Sequence, residues 1–311
     1  MVHFSQYDVV DMDKFNPNKK IGRLPAWLKR PLPQGPEYVK VESLLRDLRL
    51  HTVCRSAHCP NLGQCWSAGT ATFMILGAVC TRRCRFCAVA KGEPAALEPD
   101  EPVRVAQAAQ AMNLRHVVVT SVTRDDLPDE GAGHFARTII EIRKLLPDAA
   151  VEVLTPDFHA RPECLDIVTE ARPLVFNHNL ETVETVSREI RPQADYRRSL
   201  AVLRYVRDHH PNVYVKSGLM VGLGETDDQI RQSLTDLNAA GVQIVTVGQY
   251  LAPSSEHFPT QRYLPPEWFD ELTRWTAGHL SFLAFAASPF VRSSYMAGNL
   301  LNTIGPSKQT K

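Results

Sequence analysis

The sequence predicts an α/β protein folded as a partial (β/α)6 TIM-like barrel, and three observations carry that reading. Six apolar, β-rich runs recur along the chain, at 72–79, 116–123, 150–156, 174–182, 214–224 and 244–253. Stretches of helical periodicity lie between them, which reads as parallel βα units rather than separate domains. Six such units fall short of the eight that close a barrel, so the barrel should stay open, with its active site at the carboxyl ends of the strands. A cysteine-rich extension precedes it and a terminal segment should cover its mouth. The expected division is 1–70, 71–285 and 286–311.

Taken in order, residues 1–40 are rich in Pro and Lys, and the four prolines from Pro25 to Pro36 favour an extended arm over a long helix. Trp27 is the expected anchor of that arm. VESLLRDLRLHTV (41–53) spaces Leu44, Leu45 and Leu48 along one helical face. The first strand, TFMILGAV (72–79), runs directly into Cys80. Later strands are apolar enough to be covered on both faces. HFARTIIEIRKLL (134–146) places Phe135, Ile139 and Ile142 together, and DDQIRQSLTDLNAAG (227–241) does the same with Ile230, Leu234 and Leu237 before closing on Gly241. Asn179 and Glu181 end the fourth strand, Gln249 and Tyr250 the sixth, so one barrel mouth should gather them with Cys80.

Composition narrows the function classes. With 35 basic and 34 acidic residues the net charge is +1, which argues against a general nucleic-acid or anionic-membrane binder. No apolar run approaches the ~18 residues of a membrane span, SFLAFAAS (281–288) being among the longest. The opening MVHFSQYDVVDMDKF lacks the form of a secretory signal and is too acidic for a transit peptide, so a reducing cytoplasm is expected.

Six of the seven cysteines crowd into the 34 residues from Cys54 to Cys87. Cys54, Cys59 and Cys65 are spaced C-x4-C-x5-C, and Cys80, Cys84 and Cys87 are spaced C-x3-C-x2-C. Short loops of this kind wrap several thiolates around one inorganic centre, and thiolate is the ligand that soft iron–sulfur clusters select. Three cysteines leave one corner of a tetranuclear cube for a different ligand. A zinc module using His58, or disulfides, are the alternatives; the spacings are not zinc-knuckle pairs. Cys164, inside a helical stretch, reads as a buried thiol.

C-x3-C-x2-C with Phe86 before its last cysteine resembles the signature of radical S-adenosylmethionine enzymes. Together with HTVCRSAHCPNLGQCW, TRDDLPD, HNLET, GLGET and PFVRSSYMAG (289–298), the chain resembles the lipoyl synthase family from about Trp27 to Gly298. The resemblance implies that Cys80, Cys84 and Cys87 hold a 4Fe–4S cluster that cleaves S-adenosylmethionine. Cys54, Cys59 and Cys65 would hold an auxiliary 4Fe–4S cluster, with Ser294 as its fourth ligand and its sulfides consumed. The implied reaction inserts two sulfurs at C6 and C8 of a protein-bound octanoyl-lysine. An unactivated methylene offers no acid–base handle, so a radical is needed and no proton-transfer residue is expected. The implied partners are an octanoylated lipoyl-carrier domain (a 2-oxoacid dehydrogenase E2 subunit or glycine cleavage H protein), a reduced ferredoxin- or flavodoxin-type donor, and an iron–sulfur carrier.

By the same resemblance Asn179 and Glu181 would meet the ribose hydroxyls of S-adenosylmethionine, with Ser121 and Ser217 as further contacts. GLGET (222–226) has no phosphate-binding lysine and reads as a turn. Arg191, Arg197 and Arg198 are candidates to meet a carboxylate of cofactor or carrier, and Arg292 should approach the auxiliary cluster. The arm reads Arg23-Leu24-Pro25 where the family has Arg-Lys-Pro. Another radical sulfur-inserting enzyme, biotin synthase-like or methylthiotransferase-like, is the runner-up; the first leaves Arg-Ser-Ser-Tyr without a counterpart, and the second should carry a basic RNA-binding module that the sequence does not show.

Overall fold

Among the described residues the first strand is met at His51. A computed structural model describes residues 24–30, 35–295 and 297–302. Helix α1 (Pro36–Asp47) leads through β1 (His51–Thr52) to the short helices α2 (Val53–Ser56) and α3 (Leu62–Ser67), then to β2 (Thr72–Ile75). A two-stranded ribbon follows, β3 (Val79–Cys80) with β4 (Ala90–Lys91). Helices and strands then alternate: α4 (Glu101–Ala111), β5 (His116–Ser121), α5 (Ala132–Leu145), β6 (Ala150–Leu154), α6 (Pro162–Glu170), β7 (Val175–Asn177), α7 (Glu184–Ile190) and α8 (Tyr196–His209). The series ends with β8 (Tyr214–Val221), α9 (Asp227–Ala239), β9 (Ile244–Gln249), α10 (Pro266–His279), β10 (Ala284–Ser288) and α11 (Ala297–Asn302).

The main sheet runs β1-β2-β5-β6-β7-β8-β9-β10, with β1 antiparallel to β2 and every other pairing parallel. All six expected strands are therefore present, and β10 adds a seventh parallel one. Its sequence, AFAAS, has one aromatic and no β-branched residue, so propensity gives little sign of it. It forms because β9 offers five residues of register to pair with.

Three local expectations change. The extended arm does not reach residue 40: Pro36 occupies the first turn of α1, where its missing N–H costs nothing. Trp27 is 43% exposed and Leu28, at 2%, is the residue that anchors that turn. Arg23 lies outside the described residues. The first strand stops at Ile75, because Leu76 and Gly77 turn with φ of 70° and 91°, so Cys80 sits on the ribbon rather than at the strand's end.

Period-two alternation sorts the sheet's faces. Phe73, Val119, Val153, Phe176, Val215 and Val247 are fully buried on the helix-covered face. The inner face is not apolar, as the runs led one to expect. It carries Glu152, Asn177 and Lys216, all at 1% exposure or less. Gly241 follows α9 with φ of 78°, as the sequence signalled, and Thr226 and Gln229 form a capping box at the start of that helix. Among the described residues no helix is long and apolar enough to cross a membrane.

Candidate active site

Cys80 ends β3, and Cys84 and Cys87 lie on the loop from β3 to β4, at the carboxyl end of the sheet. The loop is pinned from several sides. Arg85 N–H donates to the Ile190 carbonyl at 2.8 Å, Phe258 N–H donates to the Arg85 carbonyl at 2.9 Å, and Arg83 N–H donates to Gln193 Oε1 at 2.6 Å. Arg82, 4% exposed, forks onto Asp125 at 2.8 Å and Asp157 at 2.7 Å. Burial alone would raise the Asp157 carboxyl, but the Arg82 guanidinium overrides it and holds Asp157 well below the usual carboxylate range. The Cys80 sulfur accepts the Thr123 N–H at 3.3 Å and the Arg82 N–H at 3.4 Å. Phe86 packs, half-buried, against the core.

Beyond β7 the chain turns sharply. Glu181 has φ of 69° and bridges to Leu219, and its N–H donates to the Gly218 carbonyl at 3.0 Å. Asn179 Nδ2 donates to Glu181 Oε1 at 3.1 Å. Burial raises the Glu181 carboxyl, opposed by the Arg191 guanidinium. The buried Arg191 holds the Leu180 carbonyl at 3.0 Å, so it supports this turn from below. Burial pushes the Cys87 thiol up to about 12, with Cys84, Cys80 and Glu181 adding to the rise.

Cys54 on α2, Cys59 beyond it and Cys65 on α3 form the second trio. Ser294 lines the same cavity as these three sulfurs, a space of about 1030 Å³ that also takes in Arg292, Tyr295 and His116. The terminal segment is fastened to the cysteine loop by Asn61 Nδ2 donating to the Phe290 carbonyl at 2.7 Å and Tyr295 O–H donating to Gln64 Oε1 at 3.1 Å. Burial pushes the Cys65 thiol up to about 12, with Cys54 and Cys59 raising it further. Thiolates gathered in one cavity need a cation among them, which is the condition for a ligand set.

The two trios do not lie at the same end of the barrel. The second cavity is lined by Thr72, His116, Ala150 and Tyr214, the first residues of β2, β5, β6 and β8. It therefore opens at the amino ends of the strands, opposite Cys80. The terminal segment runs between the two ends and faces both: Ser294 looks into the second cavity, while Ser293 Oγ accepts from Asn179 Nδ2 at 2.6 Å. Close passage is possible because Gly248 lies beneath it; a Cβ there would fall 2.0 Å from the Val291 carbonyl oxygen.

Several expected contacts go elsewhere. Ser217 and Ser121 share the helix-covered face with Val215 and Val119, since alternate residues point the same way. Ser217 is fully buried and its Oγ accepts the Leu180 N–H at 3.1 Å, while the Ser121 hydroxyl has no partner among the described residues. Gln249 bonds the Val221, Tyr250 and Arg262 carbonyls and the Leu264 N–H, and the Tyr250 O–H donates to the Phe258 carbonyl. Both close loops instead of facing a ligand. Arg197 pairs with Glu184 on the surface, and Arg198 joins Asp157 at 2.8 Å. Cys164 is buried, as its helical setting implied. Sequence reasoning passed over Arg82, Ser293 and Lys216. The signal for Lys216 was present: a lone cation in the apolar run YVKSGLMV, and Glu152 likewise in AVEVL.

All seven cysteines are free thiols. Among the described residues, the one set of three ligand atoms within 4.8 Å of each other is Asp125, Glu130 and His159. Neither cysteine trio is drawn that tight, whereas tetrahedral zinc at 2.3 Å bonds needs sulfurs about 3.8 Å apart. Wide, all-thiol trios fit polynuclear iron–sulfur clusters. An open parallel βα barrel with a three-cysteine loop at the carboxyl ends defines a radical S-adenosylmethionine enzyme, and the family model described as the Radical SAM superfamily matches residues 74–237. The model for the N-terminal domain of lipoyl synthase matches residues 4–59. Lipoyl synthase from Aeromonas hydrophila is 51% identical over 284 residues, spanning 91% of this chain and 88% of that protein. The Thermus thermophilus enzyme of that name is 50% identical over 275 residues, 88% of this chain and 85% of its own. The chain belongs to the lipoyl synthase family. Among solved structures, Streptococcus suis SuiB bound to S-adenosylmethionine superposes with a TM-score of 0.55 at 12% identity, covering 73% of this chain and 54% of SuiB. Methylornithine synthase (PylB) gives 0.53 at 13% identity, covering 83% of each chain. At these identities the likeness is one of fold.

Proposed function

We propose that this chain converts a protein-bound N6-octanoyl-lysine into the lipoyl cofactor by inserting sulfur at C6 and C8. Cys80, Cys84 and Cys87 hold one 4Fe–4S cluster, and Cys54, Cys59, Cys65 and Ser294 hold the other. When bound, the clusters and S-adenosylmethionine supply the adenosyl radical and the sulfur atoms. Arg82 and its two carboxylates fix the first loop. Asn179 and Glu181 offer an amide and a carboxylate to the ribose diol of S-adenosylmethionine, and Phe86 shapes the wall beside Cys87. The single observation behind the two-cluster reading is that Ser294 and three cysteines line one cavity, separated from the other trio by the segment that carries Ser294. A serine oxygen is a harder ligand than thiolate and matches iron less well, which suits a corner that must be released.

The proposed division is 1–70 for the auxiliary ligands, 71–285 for the radical barrel and 286–311 for the terminal segment, with β10 carrying the sheet across the last boundary to Ser288. The partners proposed are an octanoylated carrier domain of a 2-oxoacid dehydrogenase E2 subunit or glycine cleavage H protein, a ferredoxin- or flavodoxin-type reductant and an iron–sulfur carrier. A reducing cytoplasm is the proposed setting. The test is anaerobic reconstitution with iron and sulfide, then mass analysis of an octanoylated carrier incubated with S-adenosylmethionine and reductant. The carrier should gain two sulfurs. A carrier that keeps its octanoyl mass while 5′-deoxyadenosine accumulates overturns the proposal.

A further inference from the structure

We propose that Lys216 is a positioning residue for Ser294, an inference that rests on Ser294 being a cluster ligand. Lys216 is 1% exposed on the inner face of β8, and its ammonium makes two contacts of opposite character. It donates to Glu152 Oε1 at 2.7 Å and to the carbonyl oxygen of Ser293 at 2.6 Å. Glu152 is itself fully buried, taking His116 Nε2 at 3.2 Å and Asn177 Nδ2 at 3.4 Å. The pair is thus satisfied within the barrel, in a network that spans the four neighbouring strands β5 to β8.

What that anchor holds is the peptide joining Ser293 to Ser294. The unit is planar, so fixing the Ser293 carbonyl fixes the direction in which Ser294 leaves it. Asn179 pins the same residue through its hydroxyl at 2.6 Å. Gly218 leaves the room: a Cβ there would stand 3.0 Å from Ser293 Oγ. Ser293 is held by carbonyl and hydroxyl together, while the next side chain is left to face Cys54, Cys59 and Cys65. A buried ion pair is weak evidence for stability, since apolar residues fill such sites as well. Its use here is geometric: an ammonium supplies a charge-assisted bond to a carbonyl deep in the barrel.

The test compares reconstituted holoenzymes of the parent, Ser294→Ala, Lys216→Met and the double variant Lys216→Met with Glu152→Gln, in the presence of S-adenosylmethionine. Two quantities are followed: the rate at which a chelator removes one iron to leave a three-iron cluster by electron paramagnetic resonance, and the Mössbauer signature of the non-cysteine iron. Both Lys216 variants should lose that iron about tenfold faster, the factor corresponding to one charge-assisted hydrogen bond. Their Mössbauer signature should move toward that of Ser294→Ala. The double variant leaves no bare charge in the barrel, so its thermal midpoint should recover while the iron stays labile. A structural role alone predicts that lability recovers with it, and that result overturns the proposal. If Lys216→Met fails to fold, the double variant decides by the same two readouts. Parent-like iron in the Lys216 variants beside labile iron in Ser294→Ala overturns the positioning role alone. An unchanged spectrum in Ser294→Ala overturns the ligand reading and this inference with it.

Discussion

Arg82 shows how much of the radical site rests on one side chain outside the ligand set. Its guanidinium is buried and joins Asp125, on the loop after β5, to Asp157, on the loop after β6. Replacing it by Met leaves Asp157, at 0% exposure, with Arg198 as its remaining ion-pair partner among the described residues. Breaking a buried pair from one side costs about 3 kcal/mol or more, because the abandoned charge stays buried. Arg82→Met should therefore lower the thermal midpoint of the holoenzyme clearly, and should lose iron from the Cys80 trio in preference to the other. Equal loss from both, read by Mössbauer spectroscopy, argues that Arg82 supports the whole barrel and not this loop. His178 makes a second residue-scale case. Burial lowers its imidazole to about 4, and its ring bonds the Thr155 carbonyl and Ser199 Oγ, both at 3.0 Å. An unfolded histidine near 6.5 binds a proton that the folded one refuses. Stability should thus be fully present above pH 6.5 and fall as pH drops toward 4, by about 3 kcal/mol in all. His178→Gln should flatten that slope in midpoints measured across the window; an unchanged slope assigns the acid sensitivity to other groups.

At the scale of elements, the terminal segment is the part whose path is set by what it lies on. Gly248 in β9 pairs in register with Met220 of β8, and the 289–295 backbone crosses directly over it. Gly248→Ala places a methyl where the Val291 carbonyl now is, and backbone cannot yield as a flexible side chain does. The variant should fold, since the added methyl projects toward the terminal segment and leaves the pairings of β9 with β8 and β10 in place, yet hold the auxiliary iron poorly. A cluster content equal to the parent's would show that the segment has another path. Most elements were legible beforehand because their signals were local: β-branched runs for β5 through β9, a closing Gly241 for α9, cysteine spacing for both ligand loops. What escaped was decided at a distance. β10 exists by pairing with β9, not by propensity. Ser121 and Ser217 read as ligand contacts in a string of letters, and only register showed which face they take. Gln249 and Tyr250 were placed correctly at a strand's end, but their hydrogen-bonding capacity is spent on neighbouring loops.

For the whole molecule, the decisive feature is that the two trios occupy opposite ends of one barrel and draw support from separate parts of it. The Cys80 loop is held by groups beyond the carboxyl ends of β5, β6 and α7. The Cys54 loop is held by α2, α3 and the terminal segment. Little is shared between them except Ser293, Asn179 and the Lys216–Glu152 pair in the interior. Losing one cluster should therefore leave the other intact. Cys54, Cys59 and Cys65 replaced together by Ala should reduce iron from about eight to about four per chain, the content of one cube. That variant should still form 5′-deoxyadenosine from S-adenosylmethionine, because Arg82, Asn179 and Glu181 keep their places, and it should add no sulfur to an octanoylated carrier. The reciprocal triple variant at Cys80, Cys84 and Cys87 should retain about four irons and form no 5′-deoxyadenosine. If removing the amino-end trio instead abolishes cleavage of S-adenosylmethionine, the interior contacts couple the two ends more strongly than their separate supports imply. In that case the Asn179–Ser293 bond is the first place to look, since it links a proposed ribose ligand to the residue beside Ser294.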